Sequence, residues 1–88
     1  MKYVDKVVFS REARNFLKKT APQIKEQIKE GIEGLKTIPS TGDVKPLEGY
    51  KDRFRLRVGK YRVIFRYEEN DVIVLYIIDI GSRGDIYK

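Results

Sequence analysis

Apolar positions recur along this chain with two periods, and the changes from one to the other mark its elements. Residues 3–9 are largely β-branched or aromatic and predict a strand. Ser10 is placed to cap a short helix in which Ala13, Phe16 and Leu17 share one face at i, i+3, i+4 spacing. The pattern breaks at Thr20-Ala21-Pro22. Thr20 and Gln23 have the spacing of a capping box, and Pro22 suits the first turn of a second helix, where its missing N–H costs nothing. Ile24, Ile28, Ile32 and Leu35 form the apolar stripe of that helix, predicted to face Phe16 and Leu17 across a helical hairpin. Gly31 and Gly34 weaken its end, and Pro39 stops it.

Residues 38–50 carry Pro39, Ser40, Thr41, Gly42, Pro46 and Gly49, and they predict a connection without regular structure. A loop that long in a small domain is more often functional than idle. The period then becomes two, and three strands are predicted at residues 53–58, 61–67 and 72–80. Gly59-Lys60 suits a two-residue hairpin turn with glycine at its first central position. That turn pairs Val58 with Tyr61, Arg57 with Arg62, Leu56 with Val63 and Arg53 with Arg66. Phe54, Leu56, Val58, Tyr61, Val63, Phe65 and Tyr67 then make one apolar face for the helices to cover. Arg53, Arg55, Arg57, Arg62 and Arg66 occupy the other, with Ile64 among them. If residues 68–71 form the next turn, Tyr67 falls opposite Val72. Ile73, Leu75 and Ile77 then stand beside the arginines as an apolar wall. The same strand returns Gly81, Ser82 and Arg83 to the Gly59-Lys60 end of the hairpin.

Eighty-eight residues, 41% hydrophobic and 11% aromatic, fit one domain spanning 1–88. The elements predict an α+β class: a strand, a helical hairpin and a three-stranded antiparallel meander. The chain has no cysteine and no histidine, which excludes disulfides, thiol nucleophiles, thiolate metal sites and the commonest general base. No metal and no small-molecule cofactor is expected. Nothing in the sequence reads as a signal peptide or membrane span, so the cytoplasm is the expected location and no membrane partner is expected.

The net charge of +6 is not spread evenly. Lys51, Arg53, Arg55, Arg57, Lys60, Arg62 and Arg66 lie within one hairpin against the single acid Asp52, so that stretch accounts for the whole excess. Arginines directly across a strand pair repel by some tenths of a kcal/mol. Two such pairs on one face point to an anionic ligand there, the usual meaning of a concentrated basic patch. A solvated outer face that only blunts edge aggregation is the plainer reading.

The order of strand, helical hairpin, Pro46-Leu47-Glu48-Gly49, basic hairpin, apolar strand and Gly81-Ser82-Arg83-Gly84-Asp85-Ile86-Tyr87 resembles the RelE/ParE superfamily of toxins from prokaryotic type II toxin–antitoxin modules. The most telling segments are Leu47-Glu48-Gly49, Phe54-Arg55-Leu56-Arg57-Val58, Tyr61-Arg62-Val63-Ile64-Phe65 and Arg83 to Tyr87. The resemblance covers essentially the whole chain. It implies a curved antiparallel sheet with helices on one face and neutralisation by an acidic antitoxin. RelE-like members cut mRNA in the ribosomal A site without metal, and ParE-like members poison DNA gyrase. The residues corresponding to RelE-like catalytic positions are Arg55, Arg57, Arg62, Arg83 and Tyr87, which favours the RelE-like branch. Lys51, Arg53, Lys60 and Arg66 are the accompanying RNA-binding candidates. This chain has arginines where some ribonuclease members carry lysines, and Lys45 where one branch has a glutamate.

Metal-free cleavage of RNA proceeds by attack of a 2′-hydroxyl on the adjacent phosphorus, leaving a 2′,3′-cyclic phosphate and a 5′-hydroxyl. Arg55, Arg57, Arg62 and Arg83 are suited to clamp the charge that develops. Arginine does not release its proton, so it is a poor base. Tyr87 is the preferred base, or else a platform on which a base stacks. Lys51 and Lys60 are secondary candidates for the base. Two other readings remain: a gyrase inhibitor of the same fold without chemistry, and a nucleic-acid-binding module without catalysis.

Overall fold

The computed structural model describes residues 1–82. Arg83 and Tyr87 lie outside the described residues. The chain runs β1 (Lys2–Tyr3), β2 (Lys6–Phe9), α1 (Arg11–Lys19), α2 (Pro22–Glu33), a 3-10 turn (Gly34–Lys36), β3 (Thr37–Ile38), β4 (Asp43–Pro46), β5 (Phe54–Val58), β6 (Tyr61–Glu69) and β7 (Ile73–Ser82). The main sheet has the order β2-β7-β6-β5-β4, and β1 pairs separately with β3. All neighbours in the main sheet are antiparallel except β2 and β7, which are parallel. A parallel pair needs a long crossover, and the helical hairpin lies within the one between these two strands. The class is α+β, as the sequence predicts.

The strand predicted at 3–9 is interrupted around Asp5. The Asp5 N–H donates to the Ile73 carbonyl at 2.8 Å, and its carboxylate accepts from the Ile73 N–H at 2.7 Å. This residue therefore anchors the start of β7 and separates β1 from β2. Ser10 caps α1 as expected, its Oγ accepting from the Ala13 N–H at 3.1 Å. The same hydroxyl donates to the Ile78 carbonyl at 2.6 Å, joining the helix start to β7. Glu12 in the first turn and Lys18 and Lys19 in the last match the helix dipole. The predicted Thr20–Gln23 capping box does not form. Only two residues separate the helices, so Thr20 closes α1, its N–H donating to Phe16, and Ala21 becomes the N-cap of α2 without a side-chain bond.

The helix stripe packs as its spacing dictates. Ile28, Ile32 and Leu35 are buried with Ala13 against Leu56, Val63, Phe65, Leu75, Ile77 and Ile80, while Phe16, Leu17 and Ile24 are half-buried around them. Tyr67 reaches across to donate its hydroxyl to the Leu35 carbonyl at 2.6 Å. Burial pushes that phenol above its usual pKa, and a hydrogen bond with Ser40 opposes the shift.

Two expectations about the sheet are overturned. Residues 38–50 are not without regular structure: Ile38 belongs to β3, and β4 adds an edge strand beside β5. Asp43 pairs with Arg57, Val44 with Leu56, Lys45 with Arg55 and Pro46 with Phe54. A proline is tolerated at a sheet edge because its missing donor faces no neighbour. The second correction concerns register. β6 continues to Glu69, so Tyr67 pairs with Leu75 rather than lying opposite Val72. A strand shifted by one residue turns every side chain over. Leu75 and Ile77 therefore enter the core at 0% and 1% exposure, and they form no apolar wall beside the arginines. Ile73 pairs with Glu69 and shares their parity.

A candidate nucleic-acid interface

The β5–β6 hairpin has the predicted register from Phe54↔Phe65 to Val58↔Tyr61, with Gly59 in the left-handed region at φ 56° in its turn. Leu56 and Val63 point into the core, so alternation sends Arg55, Arg57, Arg62 and Arg66 to the face away from it. Arg53 lies just before β5, so its predicted pairing with Arg66 is not part of the ladder.

Following the pairs across all strands gives the face its rows. Nearest the hairpin turn are Asp43, Arg57, Arg62 and Gly81. The next row is Lys45, Arg55, Ile64 and Asp79. A third holds Arg66, Tyr76 and Val8. Successive rows are about 7 Å apart, two residues along a strand.

The arginines do not stand as independent surface charges. Arg55 is only 7% exposed, donates from Nη1 to the Asp43 carbonyl at 3.3 Å, and lies 3.5 Å from Asp43 Oδ1. Arg57 Nε is 3.8 Å from Asp43 Oδ2 and, among the described residues, makes no hydrogen bond although it is buried. One carboxylate at the sheet edge thus aligns two guanidinium groups. Arg62 is half-buried beside Arg57. Arg66 pairs with Glu68 at 3.2 Å and lies 4.1 Å over the Tyr76 ring. Arg53 lies 4.6 Å over the ring of Tyr50. Both contacts leave a planar cation on an aromatic face, a surface on which a nucleobase can stack.

Of the nine candidates from sequence, Arg55, Arg57 and Arg62 come together in two adjacent rows. Arg66 lies on the same face farther from the turn. Lys60 is exposed within the turn, and Lys51 and Arg53 precede β5. Arg83 and Tyr87 are outside the described residues. Three residues on this face escaped the sequence reading: Asp43, Tyr76 and Asp79. Asp43 lies in a segment whose proline, glycine, serine and threonine content predicts a loop, although Asp43-Val44-Lys45 alternates as an edge strand does. The predicted register of β7 turns Tyr76 to the wrong face, while Asp79 falls on the arginine face in both registers and is not singled out by the period-two pattern. Asp79 is the only charged residue within β7, and that alone marks it. Burial pushes its carboxyl above the usual carboxylate range, opposed by the hydrogen bond from the Ile80 N–H and reinforced by nearby Glu12.

Chemically, this face can hold a phosphodiester. Guanidinium groups present paired donors to phosphate oxygens, and their partial burial strengthens each contact. Among the described residues no cluster of carboxylates suits a metal ion, and no helix is long and apolar enough to cross a membrane.

The model of a protein family described as the ParE toxin of the type II toxin–antitoxin system, parDE, matches residues 7–87. A Methanocaldococcus jannaschii protein named "Putative toxin RelE1" is 37% identical over 75 residues, 82% of each chain. The archaeal RelE–RelB complex from Pyrococcus horikoshii contains a chain that superposes with a TM-score of 0.73 at 28% identity, covering 97% of this chain and 99% of that one. The RelBE2 toxin–antitoxin complex from Mycobacterium tuberculosis gives 0.72 at 28% identity, covering 94% and 100%.

Proposed function

The chain belongs to the ParE toxin family of type II toxin–antitoxin systems, and on that premise we propose that it is a ribosome-dependent endoribonuclease that cuts mRNA and so stops translation. The observation that carries this reading is the grouping of Arg55, Arg57 and Arg62 on one sheet face, two of them held by Asp43. The similarity to a protein named for RelE and to chains from RelE–RelB complexes supports the same branch.

In the mechanism, the message lies across the arginine face with its scissile phosphate between Arg57 and Arg62. Arg55, one row along, takes the charge that builds on the equatorial oxygens as the 2′-oxygen attacks. Arg83 and Tyr87 complete the constellation that the family resemblance implies. None of the arginines supplies a base, so catalysis depends on a substrate held in line for attack, which is what the ribosomal A site provides. Cell-free translation with the purified protein should yield messages cut within A-site codons, each with a cyclic phosphate at the new 3′ end. Arrested translation on intact message would overturn the reading.

A second reading is favoured by the name of the matching family model: a gyrase inhibitor of the same fold, acting by binding alone. It predicts loss of supercoiling activity with mRNA left whole. Under either reading we assign a cognate acidic antitoxin as partner, since similar chains occur in toxin–antitoxin complexes. A segment rich in aspartate and glutamate lying over the arginine face would occupy the site and neutralise it.

A further inference from the structure

The arginines of this face are suited to stabilise charge and do not remove a proton. We propose that Asp79 is the base that takes the 2′-hydroxyl proton during mRNA cleavage, an assignment that rests on the nuclease reading above.

The placement of Asp79 depends on a β-bulge. Phe65 pairs with Ile77, but the preceding residue, Ile64, pairs with Asp79, so Ile78 is an extra residue in β7. A regular ladder would have matched Ile64 with Ile78 and Val63 with Asp79, sending the carboxylate into the core. The bulge instead leaves Ile77 and Ile80 buried at 1% and 3%, with two half-buried residues between them. Bulges recur next to active sites because they re-aim a single side chain. Here the result is a carboxylate in the same row as Arg55, separated from it by Ile64, and one register step from the Arg62–Gly81 pair. A phosphate clamped by Arg57 and Arg62 brings the neighbouring ribose over that row.

The surroundings suit a base. Asp79 makes no ion pair among the described residues, whereas two other acids on the face, Asp43 and Glu68, are committed to Arg55 and Arg57 and to Arg66. Among the described residues its Oδ1 accepts the adjacent Ile80 N–H, at 2.9 Å, which fixes the side chain, and Oδ2 accepts no hydrogen bond. Among the described residues the charged groups around it are Glu12 at the start of α1, Arg62 at the diagonal position on β6 and, one strand further, Arg55. Burial holds the carboxyl above its usual range against the Ile80 hydrogen bond, with a smaller push from Glu12, the direction that strengthens a carboxylate as a proton acceptor.

The step balances without a co-reactant. The carboxylate takes the 2′-hydroxyl proton, the 2′-oxygen–phosphorus bond forms, and the phosphorus–5′-oxygen bond breaks. The departing 5′-oxygen takes a proton from water, and Asp79 returns its own to solvent. Tyr87 then has the other role the resemblance allows, a stacking platform.

Single-turnover cleavage of message on programmed ribosomes tests this with wild type, Asp79→Asn and Asp79→Glu. Asparagine keeps the acceptor for Ile80 and loses the proton-accepting charge. Asp79→Asn should cut at least about a hundred-fold more slowly, lose the rise in rate with pH, and retain affinity for the ribosome. Asp79→Glu should restore part of the rate and the pH dependence. A neutral-pH melting temperature equal to or above wild type should accompany the Asp79→Asn loss, because an acid with a raised pKa disfavours the fold once ionised. Cleavage by Asp79→Asn within a few-fold of wild type, or an unchanged pH profile, would overturn the assignment. So would a loss accompanied by a lowered melting temperature, which would mark a structural role. Wild-type protein that leaves the message whole would fail the nuclease reading itself, and this assignment with it.

Discussion

Tyr67 and Asp79 are the two residues whose ionisation burial resists most visibly, and their roles differ. Tyr67 ties β6 to the end of the second helix through its 2.6 Å bond to the Leu35 carbonyl. Tyr67→Phe removes that donor and leaves a backbone acceptor unpartnered, so it should cost about 1 kcal/mol in urea unfolding. The raised phenol pKa adds a pH signature. Stability from the protonated phenol is complete below the unfolded pKa of about 10 and falls as pH rises through the higher folded value. The variant should therefore lose less stability than wild type between neutral pH and the alkaline range, and equal losses would contradict this account. Asp79 follows the same sign at the acid end: its raised pKa makes it a burden at neutrality that disappears below the unfolded carboxylate value near 4. A residue kept at such a cost fits a functional role better than a structural one.

At the scale of elements, the sequence exposes what alternates and conceals what does not. The β5–β6 hairpin was legible pair by pair because its two faces differ sharply, arginine against leucine, valine and phenylalanine, with a glycine turn fixing the register. β7 was not. Its run Ile73-Val74-Leu75-Tyr76-Ile77-Ile78 is apolar at every position, as befits an inner strand flanked by β2 and β6, so period two carries no information there. Glu68 and Glu69 looked like turn residues, although both belong to β6. The helical stripe is legible because Ile28, Ile32 and Leu35 all face one core, whereas the boundary at Thr20 follows from a two-residue connection in which Thr20 closes α1. β4 was missed because four residues with one apolar member give too short a pattern. Its attachment has a measurable consequence. Asp43 connects β4 to Arg55 and Arg57, so Asp43→Asn should lower stability by about 1 kcal/mol, a value held down by the exposure of the carboxylate. Urea unfolding with an unchanged slope and a shifted midpoint is the expected result. An unchanged midpoint would mean that the ion pairs do not hold the edge strand.

For the molecule as a whole, the excess charge has a direction. The excess of +6 is confined to residues 51–66, and the fold turns Arg55, Arg57, Arg62 and Arg66 to the face opposite the helices. Binding of a short single-stranded RNA should therefore depend on salt. Three phosphate contacts, from Arg55, Arg57 and Arg62, predict a slope of log affinity against log salt of about −2. Arg57→Ala should reduce it by about 0.7. A flat dependence would mean that the face does not meet phosphate. The family assignment leaves one question at this scale, whether the face carries out chemistry or only binds. Mapping message ends on stalled ribosomes after adding wild-type protein or the Arg57→Ala/Arg62→Ala double variant answers it most directly. The account predicts 2′,3′-cyclic phosphate ends within the A-site codon for wild type, and at least about a hundred-fold fewer for the double variant. Uncut message with wild-type protein, accompanied by loss of gyrase supercoiling, would contradict it.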